Sequence, residues 1–168
     1  MITIDTTDLR RPNEPATADE AGSIVRLLED ELKASPRPGV GLAAPQIGIH
    51  KRVAIVRTRD HSIDLVNPVL VDREHALLVR GEGCLSMPDV SADTWRFDEI
   101  FVRCDRNPAG IVATGLEALA IQHEMDHLDG ILMVDRAKRN DVGRNDPCPC
   151  GAKTPDGKPV KFKRCHGR

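Results

Sequence analysis

Tyrosine is absent from this 168-residue chain, and aromatic residues make up only 2% of it. A core built without aromatic bulk must be filled by Leu, Ile, Val and Ala. No run approaches the ~20 apolar residues of a membrane-spanning helix, which argues against any membrane association. Met1 to Arg11 is polar and lacks an apolar stretch of signal-peptide length, so the expected location is the cytoplasm. A disulfide framework is also disfavoured. The five cysteines are an odd number, and three of them (Cys148, Cys150, Cys165) crowd the C-terminal end. In an intracellular chain such clustering points to metal ligands.

What is present is ordinary for a soluble globular protein: 40% hydrophobic and 30% charged residues. The length suits one domain with room for a small appendage. The net charge of −2 is unevenly placed. From Ala137 to Arg168 nine Lys/Arg face three Asp, a formal +6, which leaves −8 for the remainder. A basic appendage on an acidic body suits a polyanionic partner for the tail alone.

Thr17-Ala18-Asp19-Glu20 has the form of a capping box. Ala21, Ile24, Val25, Leu28 and Leu32 then form an apolar stripe, predicting a helix over 18–34 that ends at Ser35-Pro36. Small residues dominate Val40 to Gly48, where Gln46 is the one polar side chain. Residues 52–57 read as a buried strand. Leu65-Val66 and Val69 to Val71 read as a second strand bent at Asn67-Pro68, and 76–79 as a third. Glycines around Glu82 predict a sharp turn that presents Cys84 as a ligand or nucleophile. Residues 99–104 and 111–114 predict a hairpin around Arg106 to Gly110, with Cys104 structural.

Gly115 opens the helix that organises the chain. Leu116, Leu119, Ala120, His123 and His127 recur at three- and four-residue steps and share a face. His123 and His127 lie one turn apart, so both imidazoles can reach one metal ion. Glu124 lies where a carboxylate can reach a water beside that ion without ligating it. Gly130 marks the helix end. Alone, His-Glu-x-x-His is short enough to arise by chance on a surface helix.

Three motifs stand in fixed order: Gly-Leu-Ala-Ala-Pro-Gln-Ile-Gly (41–48), Glu-Gly-Cys-Leu-Ser (82–86) and Gln-His-Glu-Met-Asp-His-Leu-Asp-Gly (122–130). Together they resemble the signature motifs of the peptide deformylases, over about Leu9 to Arg136. The resemblance implies an α+β fold of antiparallel sheets packed around a central helix carrying the two histidines. It implies hydrolysis of the N-formyl group from the formyl-methionine end of new polypeptides. Cys84, His123 and His127 would hold one divalent metal, iron(II) by family preference, with zinc, nickel or cobalt also acceptable to such ligands. Glu124 would move the proton, with Gln46, Leu85 and Gly41 also in the catalytic centre and the first two stabilising the oxyanion. Val40, Leu116, Leu119 and Ala120 would line the methionine pocket, and Glu82 and Arg96 would pair to brace the Cys84 loop. Two positions depart from the family pattern. A usually apolar site two before Glu82 is Arg80, and a peptide-contacting arginine of some relatives falls on Ser91.

After Arg136 the chain resembles the SEC-C zinc module of the preprotein translocase motor. Cys148, Cys150, Cys165 and His166 would bind a structural zinc that supplies most of the tail's folding free energy, about 10 kcal/mol or more in comparable peptides. The implied organisation is a catalytic domain over 1–136, a linker over 137–144 and a zinc module over 145–168. The tail's charge suits the ribosome, through its RNA or exit-site proteins, as partner of a monomeric enzyme. Two other readings compete: a zinc endopeptidase using His-Glu-x-x-His, and an inactive deformylase-like adaptor that binds ribosomes or chaperones. The endopeptidase needs a third ligand beyond the helix, for which Cys84 is better placed than Asp129 or Asp135.

Overall fold

The computed structural model of the chain describes residues 2–3, 5–137, 144–148 and 153–165. The main elements run α1 (Ala18–Ala34), β1 (Gly41–Ala43), β2 (Val53–Arg57), β3 (Ser62–Val66), β4 (Val69–Cys84), β5 (Met87–Cys104), β6 (Asn107–Thr114) and α2 (Gly115–Leu128). Two antiparallel three-stranded sheets form, β1-β2-β3 and β4-β5-β6. No helix among the described residues is long and apolar enough to cross a membrane.

The predicted capping box starts α1. The Glu20 N–H donates to Thr17 Oγ1 at 3.3 Å, and the Thr17 N–H donates to Glu20 Oε2 at 2.8 Å. Two orphan donors of the first turn are thereby satisfied. The apolar stripe of α1 packs on one face of the first sheet, against Leu42, Val53, Ile55 and Val66. Side chains alternate along a strand, so Ala43, Ala54, Val56 and Leu65 face the other way. There they meet Ala118, Ala120, Ile121, Met125 and Leu128 of α2. Both faces of β2 are therefore covered, which explains its unbroken apolar run.

Helix α2 is flanked again on its far side, by Phe97, Ile100, Val102 and Ala113 of the second sheet. A helix buried between two sheets needs apolar surface round most of its circumference. Each fully buried Leu or Ile here contributes roughly 2 kcal/mol of burial. The central-helix architecture expected for the family is the one observed.

Three details of the strand reading are corrected. Asn67-Pro68 does not bend one strand: it separates β3 from β4, which belong to different sheets. Asn67 adopts a left-handed φ of 51°, and its amide bonds to Ala16 on both sides and to Asp105, fixing this crossover. Residues 76–79 are the middle of the long strand β4. The predicted hairpin turns more tightly than expected, through Asp105-Arg106 between Cys104 and Asn107, and a further tight hairpin, not predicted, turns at Leu85-Ser86 between Cys84 and Met87. Cys104 is buried, as the structural reading expects.

The described tail residues share the body's core. Cys148, Val160, Phe162 and Cys165 join the apolar cluster that contains Phe97, Ile121 and Met125. Cys150 and His166, two of the four expected zinc ligands, lie outside the described residues.

Candidate functional site

The glycines around Glu82 serve the strand, not a turn. Between Val79 and Glu82 the β4–β5 register slips, leaving Arg80 and Gly81 as a bulge, with Gly81 at φ 65°. A bulge re-aims the side chains beyond it. Glu82 points at α2, and Cys84 ends the strand beside the two histidines.

The sulfur of Cys84 and the ring nitrogens of His123 and His127 all lie within 4.8 Å of one another. Cys84 Sγ is 3.3 Å from His127 Nε2, and the two imidazoles meet edge-on with centroids 4.9 Å apart. One sulfur and two nitrogens form a donor set suited to zinc or another late first-row divalent ion, with a coordination position left for substrate or water. His123 Nδ1 lies 2.6 Å from Glu82 Oε1. That bond fixes the ring's orientation and turns Nε2 toward Cys84, as an outer carboxylate does for a metal-binding histidine. The donor set and its support fit a catalytic metal ion.

The last turn of α2 is held independently. Asn13 Nδ2 donates to the carbonyls of His127 and Leu128, and Arg52 Nη1 donates to Leu128 O at 3.1 Å and pairs with Asp129 at 2.7 Å. These bonds satisfy otherwise orphan helix-end carbonyls and so fix His127. Gly130 follows with φ 68°, against the Arg10 carbonyl, where a Cβ would come within 3.0 Å.

Glu82 is the hub of a buried ionic network. It accepts from Thr94 Oγ1 at 2.5 Å and from Arg96 Nε and Nη2 at 2.9 and 2.5 Å. Arg96, only 2% exposed, also donates to Asp126 at 2.5 Å, and Arg136 pairs with the same Asp126 at 2.6 Å. Burial alone would raise the Glu82 carboxyl, but hydrogen bonds from Arg96 and His123 hold it well below the usual range. Burial likewise opposes the charge on Arg96, and Glu82 and Asp126 more than restore it.

Burial would depress His123, yet its bonds to Cys84 and Glu82 raise it to about 10. His127 is held well below its ordinary value by burial and by the neighbouring His123 charge. Ligation requires neutral imidazole, so an ion bound by His123 and His127 would hold both rings in the neutral form.

Glu124 is buried, and its Oε2 has no hydrogen-bond partner among the described residues. Burial pushes its carboxyl up to about 7, against the pull of His123. Gly41 lies against it: a Cβ there would overlap the carboxylate and come within 2.9 Å of Glu124 Cγ. Gly41→Ala is therefore expected to displace Glu124 and lower kcat about tenfold or more, at a packing cost of roughly 1–3 kcal/mol. Steady-state kinetics and a melting curve on the same preparation check both effects.

Gln46 is satisfied at both ends. Its Oε1 accepts from the Ala43 N–H at 2.8 Å, and its Nε2 lies 3.1 Å from Ser86 Oγ and 3.6 Å from Cys84 Sγ. Leu85 begins the turn immediately after Cys84. A cavity of about 640 Å³ opens above, lined by Val40, Gly41, Gln46, Glu82, Cys84, Leu85, Leu116, Leu119, Ala120, His123 and Glu124, and also by Val79, Arg80 and Val90. Leu116 is 61% exposed although it belongs to the apolar helix face, so it stands at the cavity's open side. Arg80 reaches the cavity and pairs with Asp93, whereas Ser91 is not among the lining residues.

Sequence reasoning missed four supporting residues: Thr94, Asp126, Arg136 and Gln122. Gln122 exchanges hydrogen bonds with the Phe97 backbone, clamping α2 to β5. Asp126 and Gln122 lie inside the histidine motif, and their polarity on a helix otherwise buried was the available signal. Nothing in the residues around Thr94 marks it out.

Comparison with known proteins agrees with this geometry. A family model for polypeptide deformylase matches residues 1–142. The peptide deformylase of Heliobacterium modesticaldum is 42% identical over 137 residues, which cover 79% of this chain and 89% of that protein. Peptide deformylase 1 of Bacillus subtilis is 41% identical, covering 78% of this chain and 84% of that one. A Met-Ala-Ser-bound class I type b peptide deformylase from Acinetobacter baumannii has the same fold, with TM-score 0.70 and 32% identity over 81% of this chain and 96% of its own. The chain belongs to the peptide deformylases, the metal-dependent hydrolases that remove the N-formyl group from new polypeptides.

Proposed function

We propose that the N-formyl group is hydrolysed over Cys84, His123 and His127, with Glu124 moving the proton. The carrying observation is the buried Glu124 carboxylate, whose Oε2 has no hydrogen-bond partner among the described residues, beside three converging metal-ligand atoms. A divalent ion bound by the three would act as a Lewis acid, polarising the formyl carbonyl and lowering the pKa of water. Glu124 takes a proton from the attacking water and delivers it to the departing amine. The Gln46 amide and the Leu85 N–H meet the developing oxyanion. Val40, Leu116, Leu119 and Ala120 receive the methionine side chain. The Met-Ala-Ser peptide bound to the Acinetobacter relative supports this choice of substrate. Glu82 and Arg96 hold His123 in its ligating orientation.

Iron(II) is the ion we assign, on family resemblance, with zinc, nickel and cobalt accommodated by the same ligands. Cys148, Cys150, Cys165 and His166 form the structural zinc site of a module over 145–168, joined by 137–144 to a catalytic unit over 1–136. Ligand type and spacing support this site. The basic tail carries the monomeric, cytoplasmic enzyme to the ribosome, where its substrate emerges. Its formal +6 supports that partner.

The test is formate release from formyl-Met-Ala-Ser by protein loaded anaerobically with iron(II). Stoichiometric release is expected, and stripping the metal with a chelator should abolish it. Cleavage of internal peptide bonds would favour the endopeptidase, and no hydrolysis at all would favour the adaptor. Either result would overturn the proposal.

A further inference from the structure

We propose that the C-terminal segment helps to position the catalytic metal ligands, with Phe162 acting through Trp95. This inference rests on the assignment of Cys84, His123 and His127 as the catalytic metal site.

Strand β5 carries the argument. Alternate residues of a strand face opposite sides. Thr94 and Arg96 face the site, and both donate to Glu82, which holds His123. Trp95, between them, turns the other way, and it packs in the same apolar cluster as Val160 and Phe162. Phe162 meets Trp95 edge to face, with ring centroids 6.0 Å apart and planes 64° apart, a favourable aromatic geometry. The segment also bears on β5 at its entry. Ala137 bridges to Thr94, and the preceding Arg136 pairs with Asp126, which pairs with Arg96.

Phe162 is itself anchored. Its N–H donates to the Asp146 carbonyl at 2.8 Å, the Cys148 N–H to the Val160 carbonyl at 2.8 Å, and the Lys163 N–H to the Arg144 carbonyl at 3.0 Å. Two short pieces of the tail thus hold one ring against the back of the strand that braces the site. A core contact of this kind restricts where Arg96 and Thr94 can place Glu82, and small misplacements of catalytic geometry are costly. Phe162 and Trp95 are positioning residues, remote from substrate. The same contact makes the tail more than a tether.

The experiment compares full-length wild type with Phe162→Ala, Phe162→Tyr and Lys158→Ala, the last an exposed control in the tail. Three quantities are read well below the melting temperature. They are kcat and KM on formyl-Met-Ala-Ser, amide hydrogen exchange in residues 94–97 and α2, and metal ions retained per chain after a chelator pulse by native mass spectrometry. Phe162→Ala is expected to lower kcat about tenfold, the lower end of what loosening a ligand's outer partner costs. KM should stay within about twofold, because the pocket residues are untouched. Exchange should quicken and metal retention fall together, Phe162→Tyr should restore all three, and Lys158→Ala should move none. Unchanged kcat and metal retention, even with faster exchange, would show packing without positioning and overturn the proposal. If Phe162→Ala does not fold, Phe162→Leu is expected to give a smaller change in the same direction, and wild-type values in it would also overturn the proposal. If wild type releases no formate, the proposed function fails by itself, while metal retention still decides the positioning role.

Discussion

Glu124→Ala is expected to retain the catalytic metal and lose at least about 10²-fold in kcat. The two halves of this result are separable because Glu124 lies next to the ligand set without belonging to it. Its carboxyl is buried, has one oxygen without a partner among the described residues, and fills the space a side chain at Gly41 would need. A group so placed costs stability whatever its role, since an unsatisfied buried polar atom is unfavourable. Alanine should therefore leave the fold intact. Burial pushes the carboxyl up to about 7, and a cation nearby would stabilise its ionised form. Metal content and turnover, measured on one preparation, check the prediction. A variant within tenfold of wild type would remove the proton-transfer role, and parallel loss of metal and activity would make Glu124 a ligand instead.

The candidate site was legible in the sequence because its parts are local. His123, Glu124 and His127 are fixed relative to each other by helical periodicity alone, and Cys84 and Gln46 stand in short motifs rich in glycine and small residues. Helix α1 was legible to the residue because its capping box and its proline stop are both local signals. What was not legible is long-range. The Asn67-Pro68 crossover looks like a bend until its amide is seen to join Ala16 and Asp105, which are far apart in sequence. The Glu82 bulge depends on register against β5, and register is set by pairing that composition does not encode. Arg96 was found only through resemblance. Its second partner, Asp126, comes from an element thirty residues away. The tail's apolar residues are few, too few to suggest a core of its own. Phe162 and Val160 find their partners on the body, and no periodicity within the tail announces that.

Arg96→Leu is expected to destabilise the protein by about 3 kcal/mol and to weaken metal retention. The guanidinium is 2% exposed and lies between Glu82 and Asp126, at 2.5 Å from each. Leucine fills much of the volume but leaves two buried carboxylates without their shared counter-charge. Removing one partner of a buried network typically costs about 3–5 kcal/mol. The low end applies because Thr94 and His123 still contact Glu82, and Arg136 still pairs with Asp126. For a chain of this length that is a drop of roughly 6–12 °C in melting temperature. The pH dependence gives the network its signature. Glu82 is held below the ordinary carboxylate range in the wild type, so it stabilises the fold above its unfolded pKa, and that contribution fades as pH falls toward the folded one. Without Arg96 the upward pull of burial is less opposed, and acid relieves the variant by protonating the carboxyls. The stability gap should thus be widest near neutral pH and narrow below about pH 4. Arg96→Lys should recover only part of it, since an ammonium cannot span both carboxylates as the planar fork does. Thermal melts from acid to neutral pH, with metal analysis at each point, check this. Equal melting and full metal occupancy at neutral pH would mean that the Arg96 network supports neither the fold nor His123.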